Sequence, residues 1–113
     1  MSDSQQHELV NRLRVLLAHL LKWHFQYPRL SQRWAEIEGK RWRDTIIEQR
    51  AALRYLLEKN VTLQTVFAEA IVESYDQAID LAAEESDVPA SIFPRECPYS
   101  EAQILERGFY PPR

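Results

Sequence analysis

Glycine and cysteine are scarce in this chain of 113 residues. Its two glycines, Gly39 and Gly108, lie too far apart to form a glycine-rich loop that would hold a phosphate group. The single cysteine, Cys97, excludes an internal disulfide and is compatible with a reducing cytosol. Its sequence surroundings supply no general base, so we interpret Cys97 as a packing residue rather than a nucleophile.

Long apolar runs and an excess of basic residues are also missing. The longest apolar run, Val15 to Leu21, is interrupted by His19 and is too short to span a bilayer. The net charge of −3 argues against a protein that binds nucleic acid mainly through phosphates. The polar residues Met1–Gln6 do not have the pattern of a signal peptide. We therefore expect a cytoplasmic protein that does not associate with membranes.

The residues that are abundant favour helix, and no alternation of apolar and polar residues indicates a strand. Apolar spacing predicts an all-α fold, a small helical bundle with three long helices at about residues 4–26, 32–58 and 63–85. Gly39 lies inside the second helix, where glycine costs about 1 kcal/mol relative to alanine, so we expect a bend or a break there. Thr62 is the predicted N-cap of the third helix.

The chain changes character in its last quarter, where three prolines within ten residues exclude a continuing helix. We expect this proline-rich segment to be extended and to dock onto the bundle. Ser100 to Gln103 matches a capping box, which predicts a short C-terminal helix with Gly108 as its C-terminal cap. Residues 1–113 are therefore predicted to form one helical domain. The residues that we expect to dock the proline-rich segment are Val88, Ile92 and Phe93.

The first predicted helix carries two apolar seams, whereas a surface helix needs only one apolar stripe. Two seams predict that this helix is covered from two sides, either within a helical bundle or by a second copy of the chain. The first seam is Leu9, Leu13, Leu16, Leu20, Trp23 and Tyr27, and the second is Val10, Leu17, Leu21 and His24.

The histidines do not form a recognisable metal site. Two zinc ligands on one helix are expected at positions i and i+4. His19 and His24 are five residues apart, which directs them about 140° away from each other around a helix. We therefore predict packing histidines, no metal site and no cofactor.

Two stripes of charge are predicted on neighbouring helices. Arg43, Arg50 and Arg54 form a basic stripe on the second helix. The acidic residues of the third helix recur at helical spacing without the Glu-x-x-His motif of ferritin-like metal sites, and we interpret them as a solvated face. We hypothesise that the two stripes face each other or face a partner chain. The acidic residues are Glu69, Glu73, Asp76, Asp80 and Glu84.

Four blocks of the sequence together resemble a bacterial family catalogued as domain of unknown function twenty-nine. They are Leu16–Trp23, Trp42–Arg50, Phe93–Ser100 and the tail Phe109–Pro111. The resemblance covers about residues 9–112. It implies a small all-helical protein and carries over no established activity, cofactor or catalytic residue.

Two departures from the family pattern lead to a prediction about partners. Family members usually begin with a further segment that this sequence lacks, and residues 33–40 make the connection to the second block longer than usual. If that segment covers the first helix in the family, one apolar face of the helix is exposed here. We therefore predict a homodimer or another protein partner.

The leading functional hypothesis is a non-enzymatic protein-interaction or assembly module. Trp34 is the tryptophan that we expect to be exposed, since it lies next to the Pro28 loop and before Gly39. The candidate interaction surface consists of Leu13, Leu17, Trp34, Arg43, Arg50 and Arg54.

Two other classes of function stay open. The first is a nucleic-acid-associated regulator or a toxin–antitoxin component, whose binding would depend steeply on salt. The second is an enzyme that pairs His19 or His24 with a carboxylate of the third helix. The basic residues that would contact nucleic acid are Arg12, Arg14, Lys22, Arg41, Arg43, Arg50 and Arg54.

Overall fold

Helices joined by short turns make up the computed structural model, which describes residues 3–112. No strand occurs within these residues, so the all-α prediction is confirmed. Met1, Ser2 and Arg113 of the predicted domain lie outside the described residues. The helices are α1 (Asp3–Phe25), α2 (Gln32–Lys59), α3 (Val61–Gln64), α4 (Phe67–Ser86) and α5 (Glu101–Leu105).

Helix α1 is the centre of the fold and packs against both α4 and α2. The leucines of both its seams are at most 1% exposed. The prediction that α1 is covered from two sides is therefore confirmed. The expectation that one of its faces is open is wrong, because α2, α4 and the C-terminal segment of the same chain cover the seams. The fully buried leucines are Leu9, Leu13, Leu16, Leu17, Leu20 and Leu21.

Helix α2 runs without a break through Gly39, contrary to the predicted interruption. A Cβ atom at this position would overlap the ring of Tyr27, which lies directly against the helix backbone. That ring is held between Trp23 and Trp42, with ring centroids 4.8 Å and 6.3 Å away. The glycine therefore allows a close approach of the Tyr27 ring to an unbroken α2.

Replacing Gly39 by alanine is expected to lower the free energy of unfolding by about 1 kcal/mol, because overpacking outweighs the gain of about 1 kcal/mol in helix propensity. Urea denaturation measures the change. In a Tyr27→Leu background the same Gly39→Ala substitution should become stabilising, since the obstructing ring is gone. A stabilising Gly39→Ala in the wild-type background would contradict the packing explanation.

The third predicted helix is divided into α3 and α4, so the prediction of one helix from residue 63 to 85 is wrong. The amide nitrogens of Thr65 and Val66 bond carbonyls three residues back, at 3.3 Å and 3.2 Å, instead of four. The Thr65 hydroxyl also donates to the Thr62 carbonyl at 2.7 Å. These adjacent β-branched residues favour the turn over a continuing helix. Asn60, rather than Thr62, occupies the N-cap position of α3.

The proline-rich segment docks onto the bundle as predicted, with Phe93 buried and Val88 and Ile92 partly buried. The hydroxyl groups of Tyr75 and Tyr99 anchor it by donating to the carbonyls of Pro94 and Leu20, at 2.6 Å and 3.2 Å.

Both hydrogen bonds of the predicted capping box are present at the start of α5, between Ser100 and Gln103. The predicted C-terminal cap is wrong, because Glu106 occupies that position. Gly108 instead lies in the following turn, where its positive φ of 81° suits a glycine.

Candidate functional site

The predicted interaction surface is only partly exposed. Leu13 and Leu17 are 0% exposed in the core around α1, so placing them on a surface is wrong. Arg50 is 3% exposed and is also removed from any free surface. Arg43 and Arg54 are exposed on α2, and Trp34 is 55% exposed, as predicted.

Arg50 and Arg54 of the basic stripe contact α5, while Arg43 is exposed to solvent. Arg50 Nε donates to the Ile104 carbonyl at 2.8 Å, and Arg54 donates to the Leu105 carbonyl at 2.6 Å. Cations at the last carbonyls of a helix are favoured by hydrogen bonding and by the helix dipole. Burial lowers the pKa of the Arg50 guanidinium. The five acidic residues of α4 are exposed, so the hypothesis that the stripes pair within the chain is wrong.

Exposed apolar residues are concentrated on the outer face of α2, which we define by Trp34, Ile37, Ile47 and Tyr55. Four of the six large apolar side chains that are exposed in the described part of the chain belong to this face. Their exposed fractions range from 45% to 63%. Arg41 and Glu48 lie between Trp34 and Tyr55 at steps of seven residues, so these four side chains follow one line along the helix.

A polar cleft with a volume of about 510 Å³ lies between α1, α2 and the end of α4. Helix α1 contributes His19 and Lys22, and Gln26 follows its last residue; the spacing of three and four residues places the three side chains on one side. Helix α2 contributes Trp42, among others, and α4 contributes Glu85 and Ser86.

An ion pair between a buried lysine and an exposed glutamate lies at one wall of this cleft. Lys22 is 5% exposed, its Nζ is 2.7 Å from Glu85 Oε1, and it lies 5.5 Å from the centroid of the Trp42 ring. Burial alone would raise the pKa of Glu85, but the hydrogen bond and charge of Lys22 reverse this effect and lower it. The Glu85 carboxylate is therefore ionised at neutral pH, and it lies directly against the Lys22 side chain.

Two side chains that line the cleft each carry a buried polar atom with no hydrogen-bond partner in the part of the chain that the structure describes. These atoms are the side-chain nitrogen of Gln26 and the hydroxyl oxygen of Ser86. Gln26 itself is only 7% exposed. Because an unpaired buried donor costs about 1–3 kcal/mol, such atoms in a cleft identify positions where an acceptor would be favourable.

The surroundings of His19 and His24 offer little support for the hypothesis that the protein is an enzyme. His19 donates from Nδ1 to the Val15 carbonyl at 2.8 Å, and burial together with the charge of Lys22 lowers its pKa. The cleft does contain both His19 and Glu85, but the nearest bonded partner of that carboxylate is Lys22. His24 Nδ1 lies 3.2 Å from the Tyr99 hydroxyl. Residues 3–112 contain no group of three or more histidine, cysteine or acidic side chains that would hold a metal ion.

Cys97 is partly buried in the docked segment. Burial raises the pKa of its thiol, and Sγ lies 3.5 Å from the Tyr99 carbonyl as a hydrogen-bond donor. A protonated thiol is a poor nucleophile, which agrees with its interpretation as a packing residue.

The basic residues of the nucleic-acid hypothesis do not form one surface. Lys22 and Arg50 are buried, and Arg54 is bonded to a carbonyl of α5. Arg12 bonds Glu8 and Gln49 at 3.3 Å and 3.2 Å.

Sequence reasoning missed the cleft. The pattern that could have indicated it is the polar triplet His19, Lys22 and Gln26, at the end of α1 and just after it. Lys22 and Gln26 follow His19 at three and seven residues, beside buried positions of α1 that are leucines and Ala18. Their partners on α2 and α4 are distant in the chain, and no local pattern connects them.

Comparisons with known proteins identify a family without assigning a role. Residues 1–110 match the family described as "Domain of unknown function DUF29". No curated protein and no solved structure matches the chain. Among the described residues, no helix combines the length and apolarity needed to cross a membrane.

Proposed function

Since this chain belongs to the DUF29 family, whose description assigns no function, we propose a role from the geometry: a non-enzymatic protein-interaction module. It pairs with a second copy of itself through the outer face of α2. The exposed apolar side chains on the outward side of this one helix support the proposal: Trp34, Ile37 and Tyr55 lie within about 60° of one another around the helix, and Ile47 lies further round.

The composition of the outer face suits an interface. Trp34 and Tyr55, which are 55% and 63% exposed, mark its two ends. Tryptophan and tyrosine are enriched among the residues that dominate binding energy. The face between them is roughly 32 Å long, since each helical residue adds about 1.5 Å.

The order of residues along this face makes it complementary to itself. In an antiparallel pair of α2 helices, Trp34 lies opposite the partner's Tyr55, and Arg41 lies opposite the partner's Glu48. Two-fold symmetry repeats both contacts. Exposed ion pairs contribute less than about 1 kcal/mol each, so the charges set the register and the aromatic side chains supply most of the affinity.

Sedimentation velocity of the full chain tests this interface. We expect a dimer that dissociates in the micromolar range and a Trp34→Glu variant whose dissociation constant is at least about tenfold higher. Val72→Glu on α4 is the matched control, because Val72 is 74% exposed on another helix. A wild-type chain that is monomeric at about 100 μM would contradict the proposal, as would an equal effect of Val72→Glu.

Charge exchange tests the antiparallel register. Arg41→Glu and Glu48→Arg should each weaken the dimer, while the double variant restores it because the pair is re-formed with opposite polarity. A double variant that is weaker than either single variant would contradict this register.

A further inference from the structure

We infer that the polar cleft between α1, α2 and α4 is a binding site for a small zwitterion that carries a carboxylate, such as a free amino acid. This inference does not rest on the pairing proposed for α2, although Arg41 belongs to both surfaces. It rests on the unpartnered donors of the cleft, its balance of charge and its size.

The unpartnered donors require an acceptor group. Among residues 3–112, the Gln26 amide nitrogen and the Ser86 hydroxyl have no hydrogen-bond partner, and both residues line the cleft. Lys22 adds an ammonium group with three donors, of which one is directed to Glu85. A carboxylate supplies two oxygens with about four acceptor positions, enough for these donors.

The charge balance of the cleft favours a zwitterion over a simple anion. The cleft is lined by two basic side chains, Lys22 and Arg41, and by two acidic ones, Glu38 and Glu85. A phosphate dianion would face two carboxylates without a surplus of positive charge to stabilise it. Each acidic side chain already pairs with a basic one, Glu85 with Lys22 at 2.7 Å and Glu38 with Arg41 at 3.2 Å, so a ligand without net charge leaves this balance undisturbed.

His19 adds a hydrogen-bond acceptor to the lining of the cleft. Its Nδ1 hydrogen is used by the Val15 carbonyl, and burial lowers its pKa, so the ring is neutral at pH 7. Nε2 of a neutral ring with a protonated Nδ1 is an acceptor. The cleft therefore offers donors at Gln26 and Ser86 and acceptors at His19 and Glu85.

The size of the cleft fits a small metabolite. Its volume of about 510 Å³ lies within the range of about 300–1,000 Å³ that is typical of ligand pockets. The Trp42 ring and Leu30 provide an apolar part of the lining for a ligand side chain.

Calorimetric titration of the full chain with each of the twenty amino acids is the direct test. Acetate, methylammonium and inorganic phosphate are the controls, as a single anion, a single cation and a dianion. We expect at least one amino acid to bind with a dissociation constant of about 1 mM or lower, and the three simpler ions to bind at least about tenfold more weakly. If no amino acid binds below about 10 mM, or if acetate or phosphate binds as tightly as the best amino acid, the inference is wrong.

Two substitutions separate binding from folding. Gln26→Leu and Ser86→Ala remove unpaired buried atoms, so the free protein should keep its stability or gain some, while amino-acid affinity falls at least about tenfold. Gln77→Leu and Ser91→Ala, at exposed positions, are the matched controls and should bind normally. Unchanged affinity in both cleft variants would overturn the assignment.

A nuclear magnetic resonance titration locates the ligand. The side-chain amide signals of Gln26, identified by their loss in Gln26→Leu, should shift on addition of the best amino acid. Those of Gln77 should not. Binding that moves the Gln77 signals and leaves the Gln26 signals in place would contradict the inference.

Discussion

A Leu17→Ala variant is expected to lose about 3–5 kcal/mol of unfolding free energy, the largest change that we predict for a single substitution. Leu17 is 0% exposed on the central helix. Its truncation removes buried methyl groups and leaves a cavity. Residues of several helices would have to shift at the same time to fill that cavity. Urea denaturation measures the loss, which corresponds to a fall in melting temperature of at least about 10 °C.

The matched control for this variant is Val72→Ala. Val72 is 74% exposed on α4, and its truncation should change the free energy by less than about 0.5 kcal/mol. If Leu17→Ala were within about 1 kcal/mol of the wild type, α1 would not be the buried centre of the fold.

An Arg50→Met variant is expected to lose about 1–2 kcal/mol and to release the C-terminal segment locally. Methionine keeps an apolar stem but removes the donor that bonds the Ile104 carbonyl at 2.8 Å. A hydrogen bond from a charged group contributes about 1.5–3 kcal/mol, and part of this is offset because one Arg50 nitrogen, Nη2, is buried without a partner among the described residues.

Amide hydrogen exchange distinguishes this local effect from a global one. The amides of α5 should exchange faster in Arg50→Met than the loss of global stability explains, while those of α1 follow the global change. Arg43→Met, at an exposed position of the same helix, is the control and should leave α5 unchanged. Normal exchange in α5 of Arg50→Met would show that Arg50 does not secure this segment.

Local and periodic features were predictable from the sequence, whereas the features that depend on distant residues were not. The two leucine seams of α1 predicted its central position because periodicity reports burial directly. The capping box at Ser100 was found because its hydrogen bonds are formed within four residues.

The wrong expectations concern residues whose structure is decided by contacts with other parts of the chain. Arg50 was assigned to a surface because charged residues are usually exposed, yet its partner Ile104 lies 54 residues later. The propensity of Gly39 predicted an interruption, but its ring contact with Tyr27 decides the local structure. The cleft was missed for the same reason, because its residues Lys22 and Glu85 are 63 residues apart in the chain.

The position of α1 between α2 and α4 has a consequence for how the chain is made. A ribosome completes α1 first, but α4, one of the two helices that cover it, ends only at Ser86. During synthesis the emerging leucines lack part of their final cover for most of the translation time. A product terminated before α4 would therefore expose apolar leucine side chains of α1 to chaperones and proteases.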